Sequence, residues 1–542
     1  MKKWLPLLVM GLAIIIIVLD TTLLNVSLAT IVRDLKTDIR SLQWVITAYS
    51  LTLAALTITG GRFGDLFGRK RMFMVGAVIF AIGSLLASLS HNVGTLILGE
   101  SIIEGIGAAL MMPATSSLLV ATYKGKDRAL ALGVWGGMAA AGSAIGPVVG
   151  GYLTSHYSWR WGFRINVFVA ALLVLGSFLI KESADKEEKN TIDWLGVVLS
   201  STGLTSLVFS IIESSNYGWW KAKEAFSFMG HALNLGGISI VPVALGLGVA
   251  LLSLFFVWEQ RVVAAGRTPL VSMKLFRNKQ FTSGALLTTV MAVGQVGLVF
   301  GLPVFLQGVR GLDALHTGYA LLPLSIGLFI MAPLGGILAK RYKPKRIVQV
   351  GLLVNVFSLL LLRQSIVIDA TSADFIMPLL MYGAGMGLVM SQLSNITLSA
   401  VAIDEAGEAS GVNNTLRQVG SSLGTALIGS IIIASIGTGL KNGISSSPVF
   451  AEGQKQRIAA AAEAQSSNIE FGMAVQGQEL SASEASEIKR IANTSTVSAN
   501  RQALLYTAGF SAAALLIASQ LPNVRLSKLE RNESLAAKST AH

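Results

Sequence analysis

Gly60-Gly61-Arg62-Phe63-Gly64-Asp65-Leu66-Phe67-Gly68-Arg69-Lys70-Arg71 decides the fold. It lies between two apolar runs, each long enough to cross a bilayer, and sets four cations and one carboxylate among its glycines. The glycines let helix ends approach closely and turn sharply. The spacing places Asp65 near the N-terminus of the following helix, where partial positive charge favours a carboxylate. Arg69, Lys70 and Arg71 then hold the turn on the cytoplasmic side.

Working outward, the chain has 542 residues, 52% hydrophobic and 13% charged, with mean hydropathy +0.64. Soluble domains carry about 25% charged residues, so a soluble fold is excluded. Apolar segments predict fourteen helices, near 4–30, 41–61, 72–90, 94–121, 129–154, 163–180, 192–214, 237–258, 281–307, 314–339, 347–366, 375–402, 411–436 and 502–521. Each is near the ~20 residues that a crossing needs. In lipid every segment satisfies its own backbone, so the fold class is an all-α membrane bundle. The net charge of +13 is parcelled into short loops, which excludes a nucleic-acid domain and fits a basic face against anionic lipid. There is no cysteine, hence no disulfide. Met1-Lys2-Lys3 and the apolar run behind it read as a retained first helix rather than a cleaved signal, because the run is too long and contains Asp20 and Asn25.

An internal echo falls between the tenth and eleventh segments. Gly336-Ile337-Leu338-Ala339-Lys340-Arg341-Tyr342-Lys343-Pro344-Lys345-Arg346 repeats the spacing of the opening stretch, with Lys340 in place of the aspartate. Two halves with matching loops imply a duplicated bundle. The expected division is an N-terminal six-helix half over 1–180, an inserted helix pair with inside loops over 181–280, and a C-terminal half over 281–521. That second half includes a long outside loop, 437–501, with short helical stretches at 457–464 and 483–491. A disordered cytoplasmic tail is expected over 522–542.

Carboxylates inside apolar helices are costly and mark function by default. Asp20 stands mid-helix in the first segment, with Asn25 one turn on. Glu100 and Glu104 are four apart in the fourth segment, on one helical face. Two like charges so close in low dielectric are not both cheaply ionised, which is how a proton carrier behaves. Glu100, nearer the outer end, has hydration as its alternative reading. Gly142, Gly146 and Gly150 form a smooth stripe for a neighbouring helix, and Pro147 favours a kink. Polar residues that could line a cavity are Gln295, Gln392, Asn413 and Arg417; Arg417 either pairs across the bundle or anchors its helix near the inner face. Glu213 with Trp219 and Trp220 reads as an interface end. The histidines lack metal-ligand spacing, and there is no phosphate-binding loop, so neither metal, ATP nor another cofactor is expected.

The opening stretch resembles the signature loop between helices two and three of the major facilitator superfamily, where the acid and the basic residues latch the transporter shut towards the cytoplasm. On that resemblance Gly61, Asp65, Gly68, Arg69 and Arg71 form the gate loop. The segment around Asp20 is similar to the first helix of the fourteen-helix drug:proton antiporters, the QacA/EmrB-like group, with Ala29 where a proline is usual. Gly142-Ser143-Ala144-Ile145-Gly146-Pro147-Val148-Val149-Gly150-Gly151 resembles the antiporter motif of exporters. Trp159-Arg160-Trp161 with Ile165-Asn166, and Gly411 to Gly420, also match. The fourth helix departs: Ser101 and Glu104 stand where the family has Arg and Gln. Arg164 replaces an apolar residue, and either snorkels outward or pairs with Glu100 or Glu104.

The resemblance implies a multi-pass protein of the cytoplasmic membrane with both termini inside. It would exchange protons for a small amphipathic substrate, and the acidic first and fourth helices suit a lipophilic cation. It implies multidrug efflux; export of an endogenous lipid or metabolite is the alternative, and a non-transporting sensor or scaffold the alternative of another class. An EmrB-like member of a double-membrane bacterium works with a periplasmic adaptor, though no residue here points to one.

Overall fold

The computed structural model describes residues 2–37, 39–183, 192–223, 226–228, 231–233, 235–339, 341–402, 405–464 and 481–522. The expected tail falls almost wholly outside them, as does Lys340. Fourteen long helices carry the chain: α1 Leu5–Asp34, α2 Ile39–Phe67, α3 Arg69–Ser88, α4 Val93–Thr122, α5 Gly125–His156, α6 Arg160–Ser177, α7 Trp194–Tyr217, α8 Ile240–Ala264, α9 Lys279–Val309, α10 Ala314–Leu338, α11 Pro344–Ser365, α12 Ala373–Leu398, α13 Ala406–Ser446 and α14 Ala482–Ala518. Among the described residues, thirteen helices are long and apolar enough to cross a membrane. The other, α5, is 32 residues long, and several of its side chains lie outside the described ones.

Many large apolar side chains face outward, including Val75, Val78, Ile82 and Leu85 on α3 and Val243, Leu247, Leu254 and Val257 on α8. In water this would be an aggregating surface; in lipid it is the solvated one. Small residues set the contacts between helices. A Cβ on Gly76 of α3 would lie 2.8 Å from the Gly107 carbonyl oxygen of α4, and one on Gly351 of α11 would lie 2.7 Å from the Gly385 oxygen of α12. The repeated Gly-Gly contact puts the two halves in the same packing register. The inserted helices α7 and α8 pack on each other, and α7 leans on α2 through the Trp44–Phe209 stack and a Ser201 hydroxyl donating to the Ala55 carbonyl at 2.8 Å. A small antiparallel hairpin, Phe226–Phe228 with His231–Leu233, joins them.

Near the first and last described residues, side chains from basic loops meet the backbone. Tyr123 donates to the Lys3 carbonyl at 2.9 Å, and Lys345 reaches the carbonyl of Ser519.

The described part of the expected loop at 437–501 carries more helix than its two expected stretches, 457–464 and 483–491, both of which fall within helices. The thirteenth helix runs on to Ser446 and the fourteenth begins at Ala482, with Glu452–Ala464 forming a further helix between them. At 41 residues α13 is about 60 Å long, twice the hydrocarbon thickness of about 30 Å. Its projecting part buries Ile432, Ile436, Leu440 and Ile444 against Phe450, Ile458, Ile488 and Ile491. A Ser481–Glu484 capping box starts α14.

Candidate functional site

Three features assemble the site: a carboxylate cluster inside the first half, a contact across the two halves at Asp65, and a polar stripe on α13.

The cluster centres on Asn166 of α6. Its amide nitrogen lies 2.7 Å from Asp20 Oδ1 on α1, 3.0 Å from Glu104 Oε1 on α4 and 3.1 Å from Ser84 Oγ on α3. Four helices therefore meet on one side chain, and Asp20, Ser84, Glu104 and Asn166 are all essentially unexposed. An amide nitrogen carries two hydrogens, and here it faces three oxygens. Asp20 Oδ2, Glu104 Oε2 and Asn166 Oδ1 have no partner among the described residues. The cluster has more acceptors than donors, and a proton on either carboxyl relieves the shortage.

Glu100 is corrected from its hydrated reading: it is 1% exposed. Ser101 Oγ lies 2.7 Å from the Val45 carbonyl and 2.8 Å from Glu100 Oε2. One hydroxyl hydrogen cannot serve both; with it on Val45, the second contact is a hydrogen bond only when Glu100 carries a proton. The stretch Ile97–Glu104, holding both glutamates, is a π-helix, the rare wide form that recurs at functional sites. A regular α-helical face for the pair is thus not what forms. Glu104 turns to Asn166 and Glu100 to Ser101.

The glycine stripe receives the helix that carries Asp20. A Cβ at Gly142, Gly146 or Gly150 would meet the Ile15 carbonyl oxygen at 2.9 Å, Thr22 Oγ1 at 1.8 Å and Leu23 Cγ at 3.0 Å. The helix α5 runs unbroken through position 147. The side chains of Pro147 and Asn25 lie outside the described ones.

The latch differs from expectation. Asp65 holds the helix that follows it through the Arg69 side chain and also reaches the other half. Its Oδ1 accepts from the backbone N–H of Gly407 at 3.1 Å and its Oδ2 from that of Glu408 at 2.7 Å, at the start of α13 in the other half. Arg69 donates to the same carboxylate through Nε at 2.9 Å and Nη2 at 2.6 Å. The helix N-terminus and the guanidinium both favour the anion. Gly61 permits the approach: a Cβ there would lie 2.4 Å from the Gly407 oxygen. Ser116 of α4 is hydrogen-bonded to Ser410 of α13 just above. Gly68, at φ 104°, makes the turn into α3 in the region glycine alone adopts freely. Sequence reading missed Glu182, whose carboxylate accepts the backbone N–H groups of Lys70 at 3.0 Å and Arg71 at 3.2 Å. The Arg71 side chain, largely exposed and 4.0 Å from that carboxylate, adds little.

The remaining candidates scatter. Glu213, in the last turns of α7, is buried and accepts from Thr47 at 3.4 Å and Asn216 at 2.9 Å. Arg164 sits over the Trp161 ring, 5.2 Å from its centroid, away from the glutamates. Gln295 is half-buried on α9. Gln392 on α12 is fully buried, its nitrogen 3.2 Å from Ser391 Oγ and its oxygen unpartnered among the described residues. Asn413 Oδ1 is likewise unpartnered, and Arg417 Nη2 lies 3.6 Å from Met112 Sδ of α4, reaching across the bundle. At the end opposite the latch, Asp34 accepts from Trp159 Nε1 at 2.9 Å and pairs with Arg160, beside a cavity of about 650 Å³ lined by Arg33, Tyr157 and Ser158. The Trp159 hydrogen bond and then Arg160 hold the Asp34 carboxyl below its ordinary range.

Comparison with known proteins places this arrangement. The chain is 30% identical over 440 residues to the tetracenomycin C resistance and export protein of Streptomyces glaucescens, covering 80% of this chain and 77% of that one. It is 30% identical over 438 residues to the multidrug efflux pump LfrA of Mycolicibacterium smegmatis (strain ATCC 700084 / mc(2)155), covering 80% and 81%. In fold it resembles the proton:xylose symporter XylE, with a TM-score of 0.55 at 12% identity, over 86% of this chain and 94% of that one. The model of the Major Facilitator Superfamily matches residues 10–425, and the chain belongs to that family.

Proposed function

We propose that this transporter is a proton-driven exporter of lipophilic compounds from the cytoplasm. The observation that carries the reading is the donor shortage around Asn166, where two enclosed carboxylates share one amide nitrogen. The names of the relatives, which are resistance, export and efflux proteins, support the direction of transport. In this reading the Asp65 end is cytoplasmic, the basic loops face anionic lipid, and the structure is closed on that side.

Proton entry at Asp20 or Glu104 removes a charge from the cluster and changes which oxygen Asn166 serves. That shift bears on α1 and α4, and α1 lies in the α5 glycine stripe. Rocking of the halves must break the bonds of Asp65 to Gly407 and Glu408. The proton motive force supplies about 2.3 kcal/mol per charge per 100 mV and about 1.4 kcal/mol per pH unit. Asp20 and Glu104 bond within the first half, not across the seam, so a proton and a substrate competing for one acidic pocket is not the arrangement this geometry supports. The proton site and the cargo site are separate in our reading.

The test is a pH jump across proteoliposomes containing the purified protein, read with a panel of quenched dyes. Dye movement that requires the proton gradient supports the proposal. Lipid or metabolite movement without dye movement favours an exporter of an endogenous compound, and no movement of any kind returns the chain to a sensor or scaffold.

A further inference from the structure

Resting on the efflux reading, we propose that Arg417 is the substrate-contacting cation of a binding site at the seam between halves. The site would take an amphipathic compound with an anionic or carbonyl group close to a hydroxyl. The argument starts from charge. An arginine inside a membrane bundle is tolerated when it faces a partner or a cavity. Among the described residues no carboxylate bonds or pairs with Arg417; its contact is the Met112 thioether, a weak acceptor at 3.6 Å. The rigid guanidinium fork therefore has donor capacity to spare, suited to a carboxylate, phenolate or carbonyl.

Neighbouring groups point the same way. Ser410, Asn413, Asn414 and Arg417 recur at three- and four-residue spacing on α13, and the stripe faces α4 through the Ser116–Ser410 and Arg417–Met112 contacts. Among the described residues Asn413 Oδ1 has no donor, which fits a ligand hydroxyl. A spare donor fork and a spare acceptor therefore lie one turn apart on α13, along a seam that rocking would open, and the acidic cluster that suggested a cationic cargo lies elsewhere.

The experiment uses the full-length protein and two probes of opposite charge, carboxyfluorescein (anionic) and ethidium (cationic). Binding to the detergent-solubilised protein is measured by fluorescence anisotropy with no gradient, and transport by pH-jump proteoliposomes. Wild type should bind carboxyfluorescein, and Arg417→Gln should weaken that binding roughly tenfold or more, the scale of a lost charge-assisted hydrogen bond. Ethidium binding should be unchanged or tighter, and Arg417→Lys should retain part of the anion affinity. Asn413→Leu, which removes the amide acceptor alone, gives a smaller loss and serves if Arg417→Gln does not fold. Equal loss for both probes, or no carboxyfluorescein binding by wild type, overturns the proposal. Wild-type binding without proton-driven transport would instead count against the efflux reading alone.

Discussion

Asp65, near the end of α2, accepts the backbone N–H of Glu408 at 2.7 Å across the two halves, although the residues are 343 positions apart. The start of α13 and the end of α2 cannot separate without breaking it. Asp65→Asn removes the charge that the helix terminus and Arg69 both favour. The bonds to Gly407 and Glu408 are the part that only the closed state makes, and weakening charge-assisted bonds of this kind costs about 1.5–3 kcal/mol, so the closed state should be depopulated. The chain lacks cysteine, so Ser410→Cys can be labelled alone. In the Asp65→Asn background, an impermeant maleimide added from the latch side should label it at least about tenfold faster, as ~1.4 kcal/mol already gives that factor.

Gly61→Ala should act in the same direction through shape. Its new methyl group would sit 2.4 Å from a backbone oxygen of α13, which has no side chain to swing aside. Such overpacking costs about 1–3 kcal/mol. The check is a disulfide between Ser116→Cys and Ser410→Cys: it should form readily in the parent and poorly with Gly61→Ala.

Gly146→Ala tests the contact between α5 and the helix of Asp20. The added Cβ falls 1.8 Å from Thr22 Oγ1 and 2.8 Å from Thr22 Cβ. The variant should lose about 1–3 kcal/mol of stability, and Thr22→Ala, which removes the nearer atom, should restore part of it. A thermal melt of the four proteins of this cycle reads the coupling.

How much of this was legible in the sequence follows from what each feature depends on. Hydropathy placed all the long helices, since burial in lipid is a property of each segment alone. The glycine stripe was legible as a packing surface, but its partner was not, because a smooth face does not name what lies on it. Asp65 was assigned to the adjacent helix at 69 because adjacency in the chain is the only neighbour a sequence displays. The sequence reading ends the thirteenth helix at 436 and makes 483–491 only a short helical stretch, yet Ile432, Ile436, Leu440 and Ile444 recur every four residues, a helical signal that carries α13 on to Ser446. Asn166 stood in a recognised motif, and nothing local distinguishes an amide that orients two acids from one that packs.

Asp34 offers a pH test at the opposite end. Trp159 and then Arg160 depress its pKa in the folded protein, so its contribution to stability is complete above the unfolded value of about 3.9 and fades as pH falls through the lower folded value. Asp34→Asn should therefore melt slightly below the parent at pH 7, with the gap closing towards pH 3. The gap should be small, because the carboxylate is 44% exposed and water screens the pair.

Asn166→Leu keeps the volume of the cluster and removes its donor. The two carboxyls then lose hydrogen bonds that cost about 1–3 kcal/mol each to leave unmade. Proton-driven transport should fall much further than dye binding, which is measured without a gradient.

The most direct measurement is proton release on substrate addition, by detergent-solubilised protein in weak buffer with a pH dye. Wild type should release a proton when a transported compound binds, and Asp20→Asn and Glu104→Gln should each diminish that release while still binding the compound. Undiminished release from the double variant Asp20→Asn with Glu104→Gln would contradict the account, because it would place the exchanged proton outside the Asn166 cluster.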